Sequence, residues 1–386
     1  MTDEQQPLAS PPTSFVPLRL PEPSSEPSRD AAGGPSSGAP AVSRSGPSVV
    51  IPGIEPLADD PYAASSDVER ALSEPDPLLA RPRTSSRVLC VVFGLLLIAA
   101  AFGVWWLGVC TETGQSYDEI VVTGFADALP GWLAATLSPF IDWNVGTVIL
   151  NLTVLLSLLF GAIAVVVTIA RKRWLLLAQF VAIVALCYAS TFLKELLPRP
   201  YLIDTQTPHA NSAPSGHTIL AAASSVLLLI VVPRVWRAVC AVISAGFTAV
   251  IGLSVIAGGW HRPTDAAMSV LLVGGWTLIV LAFTAKTAMD EPGSRVSSAS
   301  IQIVGTVMIT AGLLGIAYAA YVIWQVLPGL ALSAAWSASG AYLSTIVGVN
   351  GVTLLTVGLV LAMRQLTAAP LSRLGLIGAP PAPPQQ

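Results

Sequence analysis

The feature that most constrains this chain is a series of apolar runs long enough to cross a bilayer. A crossing helix needs roughly 20 consecutive apolar residues, because the hydrocarbon core is about 30 Å thick. Runs of this kind fall at about 88–109, 145–170, 174–193, 217–232, 238–258, 265–285, 301–327 and 341–363. In lipid each backbone N–H and C=O must be satisfied within the segment, so these runs can only be helices. The expected fold is an all-α polytopic membrane protein with eight spans. The fourth run is short, so its helix should begin in the headgroup region. Composition agrees: 11% of the 386 residues are charged, against about 25% in soluble domains. The first run starts too late for a cleavable signal peptide.

Before the first run the composition changes. Residues 1–86 hold 16 of the 31 prolines and 12 of the 22 acidic residues. Such a stretch cannot bury enough apolar surface to offset its ordering entropy. It reads as a disordered, Pro/Ser-rich cytoplasmic tail. Residues 87–290 then form a six-span core, and 291–386 an accessory two-span segment with a short C-terminal tail.

The basic residues set the orientation. Arg81, Arg83, Arg87, Arg171, Lys172, Arg173, Arg234, Arg237, Lys286, Arg295, Arg364 and Arg373 all fall on one side in a single threading. By the positive-inside rule that side is cytoplasmic, as are both termini. The expected location is the cell (plasma) membrane, multi-pass. The segment 110–144 lies on the other side, with five acidic residues and no basic ones. Its Ser116–Ala128 stretch reads as an amphipathic helix lying on the membrane, with Trp132 and Trp143 as interfacial anchors. Asn151 and Asn350 read as interhelical hydrogen-bonding residues. Gly103 with Gly108, and Gly348 with Gly351, are weak packing signals. Cys90, Cys110, Cys187 and Cys240 are scattered, without metal-type spacing. Nothing suggests nucleic acid.

Three basic residues fall on the far side: Lys194, Arg199 and Arg262. They lie close in sequence to two histidines at run starts. Pro214-Ser215-Gly216-His217 precedes the fourth run, where a helix start offers unpaired N–H groups and a positive dipole end. Gly216 admits an anion close to the backbone, and Ser215 adds a hydroxyl, so the turn suits phosphate. His261 and Asp265 are four apart, with Pro263 fitting the first helical turn. Asp265 can then hold one imidazole nitrogen of His261 and leave the other free to attack. Lys194 and Arg199 supply charge for an anion. Arg262 reads as an interfacial anchor, with phosphate neutralisation as its other possible duty. His209 is assigned no role.

These residues resemble the type 2 phosphatidic acid phosphatase (PAP2) or lipid phosphate phosphatase superfamily. Its signature is K-x6-R-P, then P-S-G-H, then S-R-x5-H-x3-D. The second element matches in full, and Ser254, His261 and Asp265 keep the spacing of the third. The resemblance covers roughly residues 87–290. It implies a membrane phosphohydrolase of the acid phosphatase type that needs no metal or other cofactor. His261 would attack phosphorus and form a phosphohistidine, Asp265 would orient it, and His217 would protonate the leaving oxygen. Lys194, Arg199, Ser215 and Gly216 would bind the phosphoryl oxygens. The partner would be a membrane lipid phosphate, of the polyprenyl pyrophosphate or phosphatidic acid type, met at an outward-facing site. Phosphate transfer to another acceptor is a related activity.

Two departures bear on function. Four residues, not six, separate Lys194 from Arg199, which on a helix would turn the arginine by about half a turn. The arginine expected after Ser254 is Val255. That replacement keeps a second reading open: a non-catalytic protein of the same fold that binds or moves a phosphorylated lipid. A metal site and an intramembrane serine hydrolase fit less well. Two flanking cations repel a metal ion, and a G-x-S-x-G setting is absent.

Overall fold

A computed structural model describes residues 84–141, 144–145, 148–149, 151–285, 288, 299–332 and 334–368. The tail expected over 1–86 lies outside them except for its last three residues. The described residues all belong to one compact unit, Tyr62–Gln386.

The chain is an all-α polytopic membrane protein. Its long helices are α1 (Thr84–Val109), α4 (Leu152–Ala170), α5 (Trp174–Ser190), α8 (Arg234–Ala257), α9 (Pro263–Leu281), α10 (Ala299–Ala331) and α11 (Ala335–Ala368). Helix α7 (Gly216–Val231) covers the short fourth run; with 16 residues it is shorter than the seven helices long and apolar enough to cross a membrane. At 1.5 Å per residue it reaches about 24 Å, and almost all of its residues are buried. Helices α2 (Glu112–Ala128), α3 (Gly131–Ile141) and α6 (Leu193–Leu196) complete the helical set, and α2 and α3 are bent by 108° at their junction.

The second span differs from its expected start at 145. Asn144–Val145 and Val148–Ile149 form a small antiparallel ladder, β1 and β2. The helix begins only at Leu152, because Asn151 is its N-cap: Oδ1 accepts from the Val154 N–H (3.3 Å).

Helix α2 also departs from the expected surface helix. Gln115, Asp118, Val121 and Phe125 form one stripe at helical spacing, and all four are buried. The stripe packs into the bundle. Tyr117 ties the next face to α11 through Ser344 and Thr345 (2.9 Å each) and the Ala341 carbonyl (3.1 Å). Trp132 is exposed, whereas Trp143 lies outside the described residues.

The arginines at the opposite end of the bundle do more than flank spans. Arg87 donates to the Thr284 carbonyl (3.1 Å), Arg171 to Val231 (2.8 Å), and Arg364 to Ile230 (2.9 Å) and Ala288 (3.2 Å). At Ile230 and Val231 they satisfy carbonyls at the end of α7, which a helix terminus leaves unpaired, and at Thr284 and Ala288 they hold the chain that follows α9. Arg364, expected at a flank, is buried. It joins the accessory pair to the core. Asn350 bonds its own helix, at the Ile346 carbonyl (2.8 Å), rather than a neighbour.

Close crossings use glycine. A Cβ on Gly275 of α9 would lie 2.9 Å from the Gly94 carbonyl oxygen of α1, and one on Gly94 equally close to that of Gly275. Of the glycines singled out by sequence, Gly351 sits at such a contact, against the Ile316 backbone, whereas a Cβ on Gly103 would meet nothing.

Candidate active site

The site is built where the starts of α7 and α9 meet. The two turns are laced by backbone and hydroxyl bonds. Ser215 N–H donates to the Asp265 carbonyl (3.4 Å), and Ser269 Oγ bonds the carbonyls of Ser215 (3.1 Å) and Asp265 (2.7 Å). The P-S-G-H turn and the His261–Asp265 turn therefore adjoin.

Asp265 is fully buried and its Oδ2 is the hub. It accepts from His261 Nδ1 (3.1 Å), from the Arg262 N–H (3.0 Å) and from Ser212 Oγ (2.6 Å). The bond to Arg262 N–H closes the first turn of α9 in capping-box fashion, with Pro263 at the first helical position. His261 is thereby held through Nδ1, and Nε2 remains available. The expected i, i+4 geometry is present.

The start of α7 is open in front of Gly216, where an added Cβ would meet nothing within 4 Å. Ser215, expected to offer a hydroxyl to phosphate, is instead the fully buried N-cap of α7. Its oxygen accepts from Thr218 N–H (3.4 Å) and Thr218 Oγ1 (3.1 Å). His217 lies between two elements that spacing did not connect. Its Nε2 meets Asn151 Nδ2 at 2.9 Å, and its ring lies 5.6 Å from Trp260. Asn151 is thus the interhelical residue expected, with a histidine of the site as its partner.

Lys194 belongs to short α6, while Arg199 follows in extended chain beyond it. The missing two residues of the first motif are therefore absorbed in a loop, and helical rotation does not separate the two cations. Both terminal nitrogens of Arg199 are buried and have no hydrogen-bond partner among the described residues. Burial and then the Arg262 charge push the Arg199 guanidinium below its ordinary pKa, while Asp118, Asp265 and Glu119 pull it back. The terminal nitrogens of this guanidinium thus keep donors that the described residues leave unused.

Arg262 is buried inside the protein and bonds a loop, which is not the setting of an interfacial anchor. It is 4% exposed. Nη1 donates to Ser212 Oγ (2.6 Å), and Nη2 to Thr207 Oγ1 (3.0 Å) and the Pro208 carbonyl (2.7 Å). It clamps the loop between α6 and α7. Helix α2 clamps the same loop from the other side. Glu119 accepts from the N–H groups of Gln206 (2.7 Å) and Thr207 (3.1 Å) and from Thr207 Oγ1 (2.6 Å). Gln115 donates to the Pro200 carbonyl (2.8 Å), and Asp118 accepts from Thr264 Oγ1 (3.0 Å). Sequence reasoning missed Ser212, Asp118 and Glu119. For Asp118 the signal was its place, with Gln115, in the otherwise apolar α2 stripe; Glu119 and Ser212 carried none.

Val255 is buried in an apolar cluster with Val121 and Phe125 of α2. Its carbonyl accepts from the N–H groups of Trp260 (3.0 Å) and His261 (3.1 Å). Helix α2 therefore packs where the family signature has an arginine. Beside Gly216 opens an almost wholly apolar cavity of about 530 Å³ between α4, α5 and α7. Leu158, Val184, Tyr188, Ala223 and Leu227 are among its lining residues.

Residues 174–288 match the family model of the PAP2 superfamily. Over that stretch the chain is similar to the PAP2 superfamily. The matched stretch runs from α5 through α9 and contains every residue of the candidate site named from sequence. No curated protein and no solved structure matches the chain.

Proposed function

We propose that this protein is an integral membrane phosphohydrolase that cleaves phosphate from a lipid phosphate or diphosphate. One observation carries the reading: the Asp265-held imidazole of His261 adjoins the open turn at Gly216, with the unpaired guanidinium of Arg199 in the same charged cluster. His261 Nε2 attacks phosphorus and becomes phosphorylated, and water then releases phosphate. Asp265 orients the imidazole and stabilises its charge. Arg199, Lys194 and the Ser215–Gly216 turn hold the phosphoryl oxygens. The apolar cavity beside Gly216 suits a hydrocarbon chain, which favours a lipid substrate over a soluble one. The basic end of the bundle faces the cytoplasm and the site faces outward.

Purified protein should release phosphate from a panel of lipid phosphates, and His261→Ala should abolish release. Equal release by both proteins refutes the reading. Acid-labile phosphate on His261 after rapid quenching supports it. The burial of Val255 in place of an arginine favours one other reading, a lipid-phosphate binder without turnover. That reading predicts binding with no phosphohistidine. For orientation, a cysteine at position 211, in a chain lacking Cys110 and Cys240, should react with an impermeant thiol reagent on intact cells. Protection there contradicts the outward site.

A further inference from the structure

Ser212 stands between two charged side chains, and its hydroxyl can bond them in a single way. Its Oγ lies 2.6 Å from Arg262 Nη1 and 2.6 Å from Asp265 Oδ2. A guanidinium only donates and a carboxylate only accepts. The hydroxyl hydrogen therefore points to Asp265, and a lone pair receives Arg262. Both contacts fall in the short range of charge-assisted bonds. The Arg262 N–H also reaches Oδ2 (3.0 Å). A closed ring results: Arg262 backbone, Asp265, Ser212, Arg262 side chain. Ser212 is the one member of that ring from outside the first turn of α9. It comes from the loop between α6 and α7.

The ring bears on His261. Oδ2 carries the hydrogen bonds of this carboxylate, whereas Oδ1 is buried and has no partner among the described residues. The terminal torsion of an aspartate is soft, so bonds at one oxygen must fix its direction. Two of the three donors at Oδ2 sit on the same turn as Asp265, and one of these is the imidazole that has to be held. The Ser212 hydroxyl is the external point of reference. We propose that Ser212 is a positioning residue for phosphoryl transfer: pinned by Arg262, it keeps Oδ2 of Asp265 directed at Nδ1 of His261 and so aims Nε2 at phosphorus. The transfer rests on the phosphatase reading above, while the hold on Asp265 does not. In the transfer the Nε2 lone pair forms the N–P bond. The P–O bond breaks with its electron pair on the lipid oxygen, which takes a proton from His217. The Nδ1 proton stays on the ring, facing Oδ2. The side-chain bonds of Ser212 go to Arg262 and Asp265 among the described residues, so phosphate binding at Arg199 and Lys194 does not run through it.

The test compares full-length native protein with Ser212→Ala and Ser212→Thr in nanodiscs doped with dioleoyl phosphatidic acid or farnesyl diphosphate. Ser212→Ala should lose about 10–10²-fold in kcat, the range for a reacting group slightly out of line. KM should hold, because an interaction that acts only in the transition state leaves ground-state binding alone. Ser212→Thr keeps the hydroxyl and should recover most of the rate. Amide exchange over residues 205–212 should stay native in Ser212→Ala, since Arg262 keeps Thr207 and Pro208 and Glu119 keeps Gln206 and Thr207. The His261 Nδ1 proton gives a readout that needs no turnover. In ¹⁵N-histidine-labelled protein, with the signal assigned by its loss in His261→Gln, it should be sharp in the native and threonine forms. In Ser212→Ala it should broaden through exchange with water. A raised KM with lost loop protection would make Ser212 one more staple of the loop and overturn the proposal. An unchanged kcat, a signal as sharp as native in Ser212→Ala, or equal impairment of both variants overturns it as well. Turnover of neither lipid by the native protein removes the phosphatase reading, and the Nδ1 signal still decides whether Ser212 holds Asp265.

Discussion

Replacing Arg262 with leucine separates a loop clamp from a phosphate ligand. The guanidinium makes three bonds to the loop between α6 and α7, at 2.6, 2.7 and 3.0 Å. Hydrogen bonds to a charged donor contribute about 1.5–3 kcal/mol each. The loop acceptors regain water once freed, so the net local loss should be about 3 kcal/mol. Native-state amide exchange reads such a loss directly, because local opening sets the exchange rate. At 1.4 kcal/mol per decade, protection over residues 205–212 should fall about 10²-fold. The transmembrane part of α9 should keep its protection. Arg262→Lys, with one compact donor in place of a fork, should recover less than half of the loss. The leucine variant is measured with and without inorganic phosphate. Unchanged exchange in the loop, together with weakened phosphate binding, would refute the clamp and return Arg262 to the ligand set.

Other consequences are as direct. Arg199→Ala should lower kcat/KM for a lipid phosphate by about 10²–10³-fold, the usual cost of one donor at developing charge, with little change in thermal stability. Arg364→Met removes a buried guanidinium from the carbonyls of Ile230 and Ala288. Stability should drop by about 3 kcal/mol, read as an earlier loss of the monodisperse peak after heating in detergent. Gly275→Val pushes a branched side chain against the Gly94 carbonyl oxygen, where even a Cβ would sit at 2.9 Å. It should cost about 1–3 kcal/mol through overpacking of α1 on α9, whereas Gly103→Val should be neutral.

The spans were legible because hydropathy reads transfer into lipid, and all eight apolar runs contain a helix. The pair His261 and Asp265 was legible because i, i+4 spacing is a property of the helix itself. Polar residues on helices were harder to read. Hydropathy cannot tell whether the polar members of the stripe Gln115, Asp118, Val121, Phe125 meet water or, as here, a loop carbonyl at Pro200 and the first turn of α9 at Thr264. Arg262 and Arg364 look like flanking charges by position. Their burial depends on carbonyls and hydroxyls that tertiary packing brings to them. Asn151 was legible as a bonding residue, but its cap and its histidine partner follow from where α4 starts, which the apolar run 145–170 concealed.

The shortness of α7 has an electrical corollary. A 16-residue helix falls about 6 Å short of the bilayer's oily layer. Its two ends abut polar groups: the candidate site at Gly216 and the arginines bonded to Ile230 and Val231. A voltage applied across the membrane should therefore fall mainly over the apolar stretch from Ile219 to Leu229. A water-attracting substitution at Ala222 or Val226 should turn a tight enzyme into a proton leak.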